Sequence, residues 1–185
     1  MKKQLMIGLL ATAVVLAAVG CTKAPENTPA SENVEQASNV GMANPWTEAD
    51  DAQSAAEGAE VGYFTLPENK EYGDANVFIS EYRYMEHLAE ATGSIGSAEL
   101  TIRKGLKQDS EDVSGDYNEY NYDWTFESAD GVVIKCFGNG EGTAQKVIWG
   151  SDNFSYSLTV MGQGDDSETF GLSEDTLKLL VEEIQ

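Results

Sequence analysis

Positive charge is scarce in this chain: 11 lysines and arginines stand against 32 aspartates and glutamates in 185 residues, a formal net charge of −21. A surface of that sign repels phosphate backbones and anionic lipid heads, which argues against a nucleic-acid partner and excludes adsorption through basic patches. The charge leaves room for a cationic partner or a metal ion, and it also serves the solubility of an exported protein. Nucleophile chemistry is equally thin. The sole histidine is His87, and no Ser-His-Asp, zinc-ligand or Walker spacing occurs, so the expectation is a protein that is not an enzyme. Cysteine occurs twice, as Cys21 and Cys136. No apolar run reaches the about 20 residues that span a hydrocarbon layer.

The longest such run, residues 5–19, follows Lys2-Lys3 and leads into Ala18-Val19-Gly20-Cys21. A basic start, a short apolar stretch and small residues before a cysteine are read as a bacterial lipoprotein export signal rather than an uncut membrane helix. Ala18 stands where such sites usually carry leucine. Cleavage would leave Cys21 as the lipidated first residue, anchored to the membrane on its extracytoplasmic face, and the loss of Lys2 and Lys3 makes the remainder more acidic still. Two or three acyl chains anchor durably where one does not. With Cys21 lipidated, no internal disulfide can form. Cys136, sharing a strand face with Val132 and Ile134, reads as a small core residue, and nothing brings His87 to it as a base.

The expected organisation is a signal peptide over 1–20, a lipidated cysteine with a flexible tether over 21–43, and one α+β domain over 44–185. The tether is rich in Ala, Asn, Glu, Ser and Thr, carries Pro25 and Pro29, and has a typical reach of roughly 25 Å. Thr47 is read as the N-cap of a helix running to Glu57 and stopped by Gly58. Strands are predicted over 61–66, 77–84 and 98–103. Residues 85–92 fit either a helical stripe of Tyr84, Leu88 and Ala91 or a continued sheet with a bulge, and the flanking strands favour sheet.

Residues 118–127 alternate Tyr120, Tyr122, Trp124 and Phe126 against Asn121, Asp123, Thr125 and Glu127, one covered face and one wet. Turns at Ala129-Asp130-Gly131, Gly138 to Gly142 and Ser151-Asp152-Asn153 connect this strand to 132–137, 144–149 and a strand carrying Phe154, Tyr156, Leu158 and Val160. Together they predict an antiparallel meander. Ser173 then caps a closing helix, Leu172 staples onto Leu177, and Leu177, Leu180, Val181 and Ile184 form a stripe expected to cover the aromatic sheet face.

The segments Glu99-Leu100-Thr101-Ile102-Arg103-Lys104 and Glu111-Asp112-Val113-Ser114-Gly115-Asp116-Tyr117-Asn118, with the Asn44-Pro45-Trp46 start, Trp149 and the closing Ser173-Glu174-Asp175-x-Leu177 helix, carry a resemblance. They resemble a family of uncharacterised lipoproteins from clostridia and related gut Firmicutes. The resemblance spans about residues 44–185 and implies an envelope or sensory setting, because similar domains stand beside anti-sigma-factor-like modules; it implies no established reaction.

Acidic residues crowd the stretch between Lys107 and Lys135, which holds no base. An EF-hand fails there, since Tyr117 occupies the position that needs glycine and the final glutamate is missing. A calcium site outside that motif would use Asp112, Asp116 and Asn118. Gly138, Gly140 and Gly142 join two strands with no following helix to hold an anion, so they form a hairpin and not a phosphate cradle. Paired carboxylates of the glycosidase kind cannot be singled out where acids are so many. The expected function is a non-enzymatic extracytoplasmic binding or sensing module, its contact surface including Asp112, Asp116, Tyr117 and Asn118, its partner an envelope protein or cationic ligand, with no cofactor or metal. The structural alternative for that segment is a turn permitted by Gly115, with both aspartates bonding nearby amides. The functional alternative is an envelope enzyme or small-ligand carrier whose site is assembled only by folding.

Overall fold

A computed structural model describes residues 44–164 and 169–185. Cys21 and the tether lie outside the described residues. The chain forms β1 (Thr47–Ala49), α1 (Ala52–Gly58), β2 (Glu71–Tyr72), β3 (Ala75–Met85), β4 (Leu88–Ile95), β5 (Ala98–Leu106), β6 (Tyr122–Glu127), β7 (Val133–Gly138), β8 (Thr143–Ala144), β9 (Lys146–Gly150), β10 (Phe154–Met161), β11 (Leu172–Ser173) and α2 (Glu174–Glu183). The architecture is α+β. Strands run side by side in the order β1-β3-β4-β5-β10-β9-β7-β6, with β2 also on β3 and a small β8-β11 pair apart. The late meander is present as β6-β7-β9-β10. It joins an early one, β3-β4-β5, through the antiparallel β5-β10 pair.

Apolar residues at alternate positions make one sheet face a core. Ala91, Ile102, Leu158, Val147 and Cys136 are cross-strand partners in one unbroken row and are all fully buried. Alanine on β4 matters here. Ala89 and Ala91 leave room for α1, whose Ala55 and Ala56 are also fully buried, so a small-residue helix lies close on a small-residue strand. At the other end of the sheet α2 buries Leu177, Leu180, Val181 and Ile184, with the Lys178 ammonium 5.7 Å from the Phe126 ring. Ser173 caps this helix by accepting from the Thr176 N–H, as its sequence position implies.

Four expectations need correction. The first helix does not start at Thr47: residues 47–49 pair with Tyr84, Arg83 and Tyr82 of β3, and Asp51 caps a shorter helix by accepting from Ser54 N–H at 2.7 Å. Aspartate caps as well as threonine does, and the sheet edge satisfies the backbone ahead of it. Gly58 is the last residue of the helix and is there for packing, since a Cβ would collide with the Tyr84 ring, while the Ala59 cap and the left-handed Glu60 at φ +59° end the helix. Residues 61–66 form no strand. Gly62 turns the backbone to φ +77°, and Val61 and Phe64, three apart, are the buried pair.

In the region of 85–92 the sheet reading holds, with a tight turn at Glu86-His87 separating β3 from β4, and the bulge lies upstream between Ile79 and Glu81. The aromatic strand begins at Tyr122, not Asn118. Phe126 is buried and Trp124 half-buried, but Tyr122 is 45% exposed, and Tyr120 packs instead near Phe137, whose cross-strand partner is Lys146. The alternation stops where pairing with β7 stops.

Candidate functional site

The sheet face opposite the helices is polar, and register explains its layout. Arg83, Glu90, Arg103 and Ser157 form one cross-strand row; Glu81, Thr92, Thr101, Thr159 and Lys146 form the next. Residues 107–121 cross this face on their way from β5 to β6. Val113 and Ser114, within that crossing, are buried.

Glu90 is fully buried, its Oε1 taking the Arg83 Nε–H and its Oε2 the Arg103 Nε–H. A buried carboxylate persists only when its charge is met, and two guanidiniums meet this one. The Trp46 ring lies 4.6 Å from the Arg83 guanidinium carbon and 5.6 Å from that of Arg103, adding cation–π attraction. Arg103 then reaches the loop, its Nη1 donating to Ser114 O at 2.5 Å and to Val113 O at 3.3 Å. Gly115, at φ +65°, is needed twice over: its backbone is left-handed, and a Cβ would collide with that same nitrogen.

Beyond Arg103 the loop folds on itself through side chains that accept from amides two residues on. Asp112 Oδ1 accepts from Ser114 N–H at 2.9 Å, Ser114 Oγ from Asp116 N–H at 3.1 Å, and Asp116 Oδ1 from Asn118 N–H at 2.9 Å. These are three successive Asx and ST turns. Asp116 Oδ2 accepts the Tyr120 hydroxyl, and burial together with that bond to a carboxylate raises the Tyr120 pKa. The buried Lys146 ammonium fixes the far side, 3.4 Å from Asp112 Oδ2 and 3.2 Å from Asp116 O, over the rings of Phe137 and Tyr120. Partial burial pushes the Asp112 pKa up, yet the Ser114 bonds and the Lys146 charge outweigh it and hold it below its ordinary value.

Of the four residues singled out from sequence, the structure brings Asp116, Tyr117 and Asn118 to one wall of a groove of about 960 Å³; Asp112 sits behind the wall. Asp112 and Asp116 are occupied in shaping the loop. Tyr117 is 94% exposed. The groove floor is the Thr101–Thr159 cross-strand pair, with Glu99 and Met161 at one end and Asn121 and Asn139 across from it. Among the described residues, no group of three or more His, Cys, Asp or Glu side chains is placed to hold a metal ion.

Glu90, Arg83, Trp46 and the two threonines were not singled out from sequence. The available signal was charge inside a strand of small apolar residues: Glu90 stands between Ala89 and Ala91, both core.

Two other features lie away from the groove. Cys136 is fully buried, and burial pushes its thiol up to about 12, while His87 shares a 2.8 Å hydrogen bond with Asp109. Another cleft, of about 420 Å³, lies between Val181 of α2 with its C-cap Ile184 and Ile134, Trp149 and Tyr156, the last two stacked at 5.5 Å. No helix among the described residues is long and apolar enough to cross a membrane. Comparison of the chain with family models, with curated proteins and with solved structures returned no match.

Proposed function

We propose that this protein is a lipid-anchored extracytoplasmic binding module, without catalytic activity, that engages its ligand in the groove beside residues 114–121. One observation carries the reading: a large aromatic side chain, Tyr117, stands 94% exposed on the wall of a groove of about 960 Å³ while the residues either side of it are tied down. Folding gains nothing from that ring in water, and exposed aromatics beside ordered polar groups are characteristic of recognition surfaces.

Anchoring rests on the export signal and Cys21, and places the groove outside the membrane, in keeping with the envelope setting that the clostridial lipoprotein resemblance implies. The test uses a photoreactive amino acid at position 117 in the intact lipoprotein, with position 179 on the exposed side of α2 as control. Crosslinks in cells from position 117 and not from 179 are expected. Equal crosslinking from both, or none from 117, contradicts the proposal.

A further inference from the structure

We infer that the ligand of this groove is a neutral oligosaccharide. The inference rests on the binding-module reading above and adds the ligand class. Charge is the first guide. The groove's guanidinium, Arg103, is paired with Glu90 and donates to Ser114 O, so it has no anion to seek. Asp116 is likewise engaged, by Asn118 and Tyr120. What stays open is Glu99 and Glu119, both exposed at the rim, where water screens a pairing to about 1 kcal/mol or less. Among the described residues, a ligand held by charge, of either sign, finds no counter-ion in the interior of the groove.

The floor decides between apolar and polar. Thr101 and Thr159 lie directly opposite each other across β5 and β10, half-buried, and an apolar ligand would strip water from their hydroxyls without replacing its hydrogen bonds. Those hydroxyls both donate and accept, and the side-chain amides of Asn118 and Asn121, each giving one N–H to Asp116 and Asn139, carry a second N–H and a carbonyl oxygen besides, the match for a ligand that is itself a cluster of hydroxyls. Tyr117 supplies the other half of the fit, a flat apolar face with a polar tip against which the C–H face of a pyranose ring can lie.

An extended polar peptide fits less well. Strand addition, by which an extended peptide is held on a sheet, needs a free edge, and the floor here is the middle of a sheet, where β5 and β10 already bond each other. The volume, about 960 Å³, stands near the top of the range of roughly 300–1,000 Å³ for ligand sites and suits several linked rings rather than one.

The full-length protein is titrated calorimetrically with cellotetraose, xylotetraose, maltotetraose and tetra-N-acetylchitotetraose, with tetralysine and a Ser/Asn-rich octapeptide as comparators. At least one tetrasaccharide is expected to bind below millimolar concentration. Tyr117→Ala and the double variant Thr101→Val with Thr159→Val are each expected to weaken that binding at least tenfold, with the thermal midpoint of Tyr117→Ala unchanged. If no tetrasaccharide binds, or if both variants bind it as the wild type does, the inference is overturned. Should tetralysine or the peptide bind instead and lose affinity in Tyr117→Ala, the sugar class falls while the groove reading stands. A ligand whose binding ignores both variants removes the groove reading as well.

Discussion

Glu90 is the residue on which the polar face turns, because it joins β3, β4 and β5 to the loop through two arginines. Glu90→Ala removes the counter-charge shared by the largely buried Arg103 and the more exposed Arg83, so a loss of about 1–3 kcal/mol in chemical denaturation is expected, with groove binding weakened at the same time. Gly115→Ala is expected to cost about 1–3 kcal/mol from its left-handed backbone and to displace the Arg103 contact. Lys104 offers a pH test. Its ammonium is buried against the rings of Phe154 and Tyr156 and donates to Tyr63 O with no carboxylate beside it; burial lowers its pKa from 10.5 to about 8. Between about pH 8 and 10 the unfolded chain keeps a proton that the fold has shed, so this lysine adds stability as pH rises. Cys136 acts in the opposite sense above pH 9, since the unfolded thiol ionises before the buried one. A comparison with Lys104→Met isolates the lysine: the wild type is expected to gain on the variant by about 1 kcal/mol per pH unit from pH 8. Parallel stability curves would show that Lys104 is not desolvated.

Among the elements, α2 is the most legible, because its cap, its acidic first turn and its apolar stripe lie within twelve consecutive residues and all agree. Leu180→Ala is expected to cost about 2–5 kcal/mol through lost transfer energy and a cavity. An unmoved unfolding midpoint would mean that the helix is not docked. The sequence offers the first helix two starting points. Thr47 and Asp51 are both good caps, and only pairing of residues 47–49 with β3, some thirty-five residues on, selects the second. Strands announced themselves through β-branched and aromatic residues, yet their order did not, since the β5-β10 pair that unites the two meanders joins segments about fifty residues apart. The groove floor depends on that pair. Thr101 and Thr159 carry no local mark of belonging together, whereas the loop's Asp-x-Ser-x-Asp-x-Asn spacing did show that side chains could bond amides two residues ahead.

At the scale of the whole molecule, an acidic chain with one polar sheet face and a proposed lipid anchor makes two separable claims, about where it sits and about what it contacts. For the first, Cys21→Ser is expected to abolish incorporation of labelled fatty acid in cells; unchanged labelling would refute the anchor. The second is more central, and the structure divides the sequence-derived surface into parts that behave differently. Asp116 is bound into the loop, and Tyr117 is not. The direct measurement is therefore ligand capture and thermal midpoint, determined side by side on the intact lipoprotein for Asp116→Ala and Tyr117→Ala. Tyr117→Ala is expected to lose capture with its midpoint within about a degree of the wild type, and Asp116→Ala to lower the midpoint; full capture by Tyr117→Ala would contradict the assignment of the groove as the binding site.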